Sequence, residues 1–260
     1  MAFTAAHRGG SGPPLVLVHG FTDTWRTWEL VLPMLERRHD VLAPTLPGHA
    51  GGPPFTDDGD GHVDAVEAAM DAAGFATAHL VGNSLGGYVA LKLAERGRAR
   101  TVVAFAPGGG WPADDPQAER GDHFTTMHEL LQTAAVHADA IVSTPEGRRR
   151  ATRYTTVEFE HIPTDLLAHQ IRGAAACDVP TMLAAARTRG WRLDAERIMC
   201  PVRIVWGAED RLLPWPSAAT RFREEWLPNA DWVVLDGVGH CPQLDVPLET
   251  TELILGFTGR

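Results

Sequence analysis

Ala78-His79-Leu80-Val81-Gly82-Asn83-Ser84-Leu85-Gly86-Gly87-Tyr88-Val89-Ala90-Leu91-Lys92-Leu93 decides how this chain is read. A short apolar run, Ala78 to Val81, has the length and composition of a buried strand, and it ends in a G-x-S-x-G turn that leads straight into a helical pattern. Such a turn forces the serine backbone into a strained conformation, and glycines beside it leave room for the neighbouring strand and helix. The serine hydroxyl then projects from the turn. The ordinary alternative is a glycine-rich turn with an idle serine, but here strand, turn and helix stand in register.

Outward from this turn the chain repeats the same alternation. Leu15 to Val18, Val41 to Ala43, Thr101 to Ala106, Val202 to Trp206 and Trp232 to Leu235 are further short apolar runs closed by Gly, Pro or Asp, and they read as buried parallel strands. Helical patterns separate them at Trp25 to Arg37, His62 to Ala73, Leu85 to Arg96 and Ser217 to Trp226. Alternating strands and helices make an α/β fold with a doubly wound, mostly parallel sheet. The alternation stops between about Trp111 and Arg197, where the sequence is helix-prone and shows no strand. Helices are expected over Ala118 to Ala140, Pro145 to Tyr154, Thr164 to Ala176 and Val179 to Thr188. The chain therefore divides into a core, residues 1–110 and 198–260, and an inserted helical lid, residues 111–197.

Length and composition fit that division. The 260 residues suit one α/β unit with an insertion better than two independent domains. A hydrophobic fraction of 44% and a charged fraction of 22% are those of a globular chain. The formal charge of −10 speaks against nucleic acid or an anionic membrane as partner and favours a neutral or small substrate. Cys177, Cys200 and Cys241 show no paired spacing, so neither a disulfide framework nor a structural zinc site is expected. The opening MAFTAAHRGGSGPP lacks the apolar core of a secretory signal, and no apolar run has the length of a membrane span. The expectation is a cytoplasmic protein. Composition does not address its oligomeric state.

A serine hydroxyl is a poor nucleophile until a base takes its proton. Gly237-Val238-Gly239-His240 follows the last strand and offers the imidazole, with His240 the best placed of the twelve histidines. An imidazolium needs a fixed carboxylate, and Trp206-Gly207-Ala208-Glu209-Asp210 places two acids after the penultimate strand. A solvated loop carboxylate is the plain alternative for either. Oxyanion donors would be the backbone amides of Leu85, at the helix N-terminus, and Phe21, in the His19-Gly20-Phe21 loop after the first strand. His19 itself is read as a brace for that loop.

The order Ser84, Asp210, His240, preceded by the His-Gly loop, resembles the α/β-hydrolases of the lidded serine esterase type over nearly the whole chain. The strand-Gly-x-x-Asp pattern followed by Pro214 also resembles that family and selects Asp210 over Glu209. The resemblance implies an enzyme without a cofactor that cleaves a carboxylic ester or lactone of a small-molecule substrate through an acyl-enzyme. The chain departs from the family pattern at Thr45, where an acid usually opens the Pro47-Gly48-His49 loop, and at Ala50, where glycine is common. The segment before Leu15 is too short for two full leading strands, so an abbreviated sheet edge is expected.

Other signals weigh less. His123 and His128 lack a third ligand, and no H-E-x-x-H occurs, so no metal is expected. Most tryptophans sit in patterned elements and read as core, whereas Trp111, at the junction of core and insertion, is a candidate to line the substrate pocket. Gly82-Asn83-Ser84 also resembles the nucleophile segment of hydrolases that cleave ring-fission diketones at a carbon–carbon bond. A cofactor-free perhydrolase and a non-catalytic ligand receptor of the same fold are the remaining alternatives.

Overall fold

The computed structural model describes residues 2–57, 60–112 and 121–259, with only the backbone at 121 and 122. Its centre is a seven-stranded sheet in the order β1-β3-β2-β4-β5-β6-β7. The strands are β1 (Ala6–Gly10), β2 (Pro14–Val18), β3 (Asp40–Pro44), β4 (Ala78–Asn83), β5 (Ala99–Phe105), β6 (Val202–Gly207) and β7 (Asp231–Leu235). All neighbours run parallel except β1, which pairs antiparallel with β3 from Ala6 opposite Pro44 to Gly10 opposite Asp40. The five-residue β1 is the abbreviated edge expected before Leu15.

Two apolar layers cover the sheet, and the strands divide their side chains between them with period two. Val16, Val18, Leu80, Val102, Ala104, Ile204 and Trp206 face one layer. Leu15, Leu17, Val81, Val103, Phe105 and Val205 face the other. The first layer is closed by α2 (Gly61–Ala72) and α3 (Leu85–Glu95), the second by α1 (Leu32–Leu35), α10 (Pro247–Thr258) and the turn at Trp25–Trp28. Helices on both faces make the sheet doubly wound.

The helix expected over Trp25 to Arg37 is instead a 3₁₀ turn, Trp25–Trp28, followed by the one-turn α1. Pro33 stands at the start of α1, where its missing N–H breaks the ladder of a continuous helix. The pattern at Ser217 to Trp226 is likewise split, into a 3₁₀ turn at Ser217–Ala219 and a π-helical turn at Phe222–Trp226.

Between β5 and β6 the described residues form five helices: α4 (Gly121–Ala134), α5 (Ala138–Val142), α6 (Pro145–Thr152), α7 (Thr164–Ala175) and α8 (Val179–Arg189). The expected helical start at Ala118, like the rest of 113–120, lies outside the described residues. The insertion has its own core of Ala138, Val142, Phe159, Ile162, Leu166, Leu167 and Ile171. That core continues into Cys241 and Leu244, the latter on α9 (Pro242–Asp245), which follows β7.

In the chain order β2 is followed outward by β3 on one side and by β4 on the other. The loops that leave β2 and β4 therefore part at the carboxyl edge and open a crevice there, where such sheets bind ligands.

Candidate active site

Ser84 occupies that crevice, between the last residue of β4 and the first of α3, with φ 56° and ψ −118°. A non-glycine residue here carries strain of roughly 1–3 kcal/mol and keeps it only if its surroundings fix the turn. They do so through its own peptide: the Ser84 amide donates to the Phe105 carbonyl at 2.9 Å, and its carbonyl accepts from Gly108 at 3.0 Å and Tyr88 at 3.2 Å. A Cβ at Gly82 would run into the Gly86 carbonyl, and one at Gly86 into the carbonyls of Val18 and His19. Only glycine fits at either place. At the first position of α3 the Leu85 amide has no intrahelical acceptor, which leaves it for a ligand oxygen.

The loop after β2 passes close by, since a Cβ at Gly20 would lie 3.3 Å from that of Ser84. His19 holds this loop. Its Nδ1–H donates to the Gly20 carbonyl at 2.8 Å and its Nε2 accepts the Leu46 amide at 2.9 Å. Burial, slightly offset by that carbonyl, lowers its pKa to about 4, so the ring is a neutral brace, as the sequence suggests. Phe21 is half-buried, and its ring meets Phe124 edge-on at 5.1 Å.

His240 and Asp210 come from the loops after β7 and β6. The histidine Nδ1–H donates to Asp210 Oδ2 at 2.7 Å, while Asp210 Oδ1 accepts the amides of Leu212 at 2.8 Å and Leu213 at 2.7 Å. The two residues are 2% and 4% exposed, so both carboxylate oxygens are committed out of water and the ring orientation is fixed. The far nitrogen, His240 Nε2, is buried without a hydrogen-bond partner. Glu209 is exposed and uses its amide to hold the Val238 carbonyl at 2.9 Å. It is Asp210 that the fold brings to the histidine.

A cavity of about 1000 Å³ opens over the site and is lined by Ser84, Leu85, Phe21 and Trp111 together with residues of α8. Trp111 meets Trp191 edge-on at 5.4 Å, and Trp191 meets Tyr88 at 4.7 Å. The sequence-predicted residues Ser84, Leu85, Phe21 and Trp111 thus share one space, and Asp210 and His240 form a bonded pair.

Sequence reasoning assigned no role to Asn83, Gln243 or Asp245. Asn83, 1% exposed, donates to the His240 carbonyl at 2.9 Å and to the Phe105 carbonyl at 3.2 Å. Its Oδ1 accepts from Gln243 Nε2 at 3.2 Å and from Cys241 Sγ at 3.4 Å. Gln243 also donates to Thr27 at 3.1 Å. The residue before the serine is therefore tied to the backbone of the histidine loop. Asp245 accepts the amides of Gly239 at 2.6 Å, Glu158 at 2.7 Å and Val157 at 2.9 Å, which joins that loop to the insertion.

The profile of the Alpha/beta hydrolase family matches residues 15–253. The chain belongs to the alpha/beta hydrolase family. This hydrolase is 35% identical over 197 residues to the epoxide hydrolase EphH of Mycobacterium tuberculosis, covering 75% of this chain and 92% of that protein. It is 28% identical over 271 residues to a pimeloyl-[acyl-carrier protein] methyl ester esterase of Aeromonas hydrophila, covering 98% and 99% of the two chains. Among solved structures, a bacterial membrane phospholipase A superposes with a TM-score of 0.76 at 23% identity, over 99% of this chain and 84% of that one. At that identity the likeness speaks for the fold. No helix among the described residues of this alpha/beta hydrolase is long and apolar enough to cross a membrane.

Proposed function

We propose that this hydrolase is a serine esterase that cleaves a carboxylic ester or lactone through an acyl-enzyme. The observation that carries the reading is the His240–Asp210 pair: one imidazole nitrogen is bonded at 2.7 Å to a buried carboxylate and the other is left unspent. In the mechanism, Nε2 takes the Ser84 proton as the hydroxyl oxygen attacks the substrate carbonyl. The amides of Phe21 and Leu85 hold the resulting oxyanion. His240 returns the proton to the departing alkoxide, and a water, activated by the same ring, then releases the acid. The Asp210 carboxylate stabilises the imidazolium that forms. Residues 111–197 act as the lid over this site, on the core of 1–110 and 198–260.

Epoxide hydrolysis, the activity in the name of one relative, is a poor fit to Ser84. A serine oxygen that opened an epoxide would form an ether, which water does not cleave under these conditions, whereas a carboxylate nucleophile forms an ester that it does. The three cysteines are free thiols, in keeping with a cytoplasmic enzyme.

The test pairs hydrolysis of 4-nitrophenyl esters of graded acyl length with fluorophosphonate labelling, for the native protein and Ser84→Ala. Turnover and labelling should both vanish in the variant, with a loss in kcat of roughly 10⁶-fold. Ester turnover that persists in Ser84→Ala would overturn the assignment.

A further inference from the structure

The cavity over Ser84 runs along one stripe of α3. Leu85, Tyr88, Val89 and Lys92 line it, at the spacing that stacks side chains on a single helix face. Seven residues at ~1.5 Å each carry the stripe about 10 Å from Leu85 to Lys92. Near the serine the lining is aromatic and aliphatic. The wall also carries five cationic residues, Lys92, Arg187, Arg189, Arg192 and Arg221.

Composition does not account for this. Acids outnumber Lys and Arg 33 to 23 in the chain, yet Asp60 is the one carboxylate among the described lining residues. The ion pairs are also oriented. Lys92 pairs with Glu95 at 2.7 Å, Arg189 with Asp57 at 2.6 Å and Arg221 with Glu225 at 3.4 Å, and none of these three carboxylates reaches the lining. In each pair the cationic residue lines the cavity and its carboxylate partner does not. Asp60, held by Arg96 at 2.8 Å, is the single reversed case. Arg192 is exposed, and its backbone is clamped by Tyr88, whose hydroxyl donates to the Arg192 carbonyl at 2.6 Å and accepts its amide at 3.1 Å. Arg192 lines the cavity from this fixed main chain, and its guanidinium carries five donors.

We infer that the substrate carries, beside its ester, a second and anionic group, a carboxylate or a phosphate. Arg192 holds it, with Arg189, Arg221 and Lys92 on the same wall. The inference rests on the esterase reading for the identity of the reacting bond. It runs against the neutral substrate that the overall charge suggests, because a wall of oriented cations sets the local potential regardless of the sum.

The test measures binding without turnover. Calorimetry on Ser84→Ala compares monomethyl suberate, methyl 8-phosphooctanoate and dimethyl suberate. The acid or the phosphate should bind roughly tenfold more tightly than the neutral diester, the size of one charge-assisted hydrogen bond. The preference should shrink to about twofold or less with Arg192→Gln added, and weaken in about 0.5 M salt. Whichever anion binds better names the group. Equal binding of the diester, or a preference indifferent to Arg192→Gln, overturns the inference. A native protein that binds the anions but leaves all three esters intact would instead overturn the esterase reading and leave the anion site standing.

Discussion

At the residue scale, Asn83 carries the least expected consequence. Its carboxamide meets the His240 carbonyl at 2.9 Å and Gln243 at 3.2 Å, so the serine turn and the histidine loop are held at a set separation by one side chain. Asn83→Ala removes that tie without touching the cavity. An ångström of misplacement between nucleophile and base can reduce rate about a hundredfold. The expected result is kcat lowered roughly 10- to 100-fold with KM little changed, read from steady-state kinetics on a short-chain 4-nitrophenyl ester. A raised KM at constant kcat would point to a substrate contact instead. Ser84, His240 and Asp210 are legible in the sequence because each follows a strand within a few residues, and strand ends define the carboxyl edge. Asn83, Gln243 and Asp245 are not legible, because their partners come from loops far apart in the chain and only the fold says which polar groups meet.

At the element scale, the strands show through the sequence since each is a short apolar run between breakers, and their sheet order follows the chain outward from β2. The Trp25 to Arg37 pattern misleads because its apolar spacing is helical while Pro33 denies the backbone bond that a helix there requires. Tertiary packing then decides, and both short pieces bury their side chains against the sheet. The joint between insertion and core is a different matter, since a single buried carboxylate binds three amides across it. Asp245, 3% exposed, accepts three backbone amides from two segments. Asp245→Ala would leave those amides buried and unpaired, and hydrogen bonds to a charged group contribute more than neutral ones. The expected loss is about 3 kcal/mol of stability, measured by urea unfolding at pH 7.5, with a lowered kcat in the protein that remains folded. A loss under about 0.5 kcal/mol would show that the joint is held elsewhere.

At the scale of the whole molecule, six of the twelve histidines are held neutral by the fold. Burial lowers the pKa of His19, His62, His79 and His169 to about 4, and those of His39 and His49 also fall. Three of them meet edge-on, His19 with His49 at 4.8 Å and His49 with His62 at 5.8 Å, behind the loop that carries Phe21. In the unfolded chain such rings take up protons near pH 6.5, so between about pH 6.5 and 4 the unfolded state binds more protons than the native one. Stability is then fully present above that window and lost as pH falls through it. Asp23 opposes the trend, since burial raises its pKa to about 6 and the native state holds its proton where the unfolded state does not. One carboxyl does not offset six imidazoles. Even a net uptake of about two protons at pH 5.5 gives a slope of roughly 3 kcal/mol per pH unit, large beside a total stability of about 5–15 kcal/mol. Urea unfolding at pH 7.5, 6.5 and 5.5 should therefore show a steep fall, with His62→Gln reducing the slope by up to about one proton. A stability that stays level from pH 7.5 to 5.5 would mean that these rings are protonated in the fold, and the neutral brace assigned to His19 would fall with it.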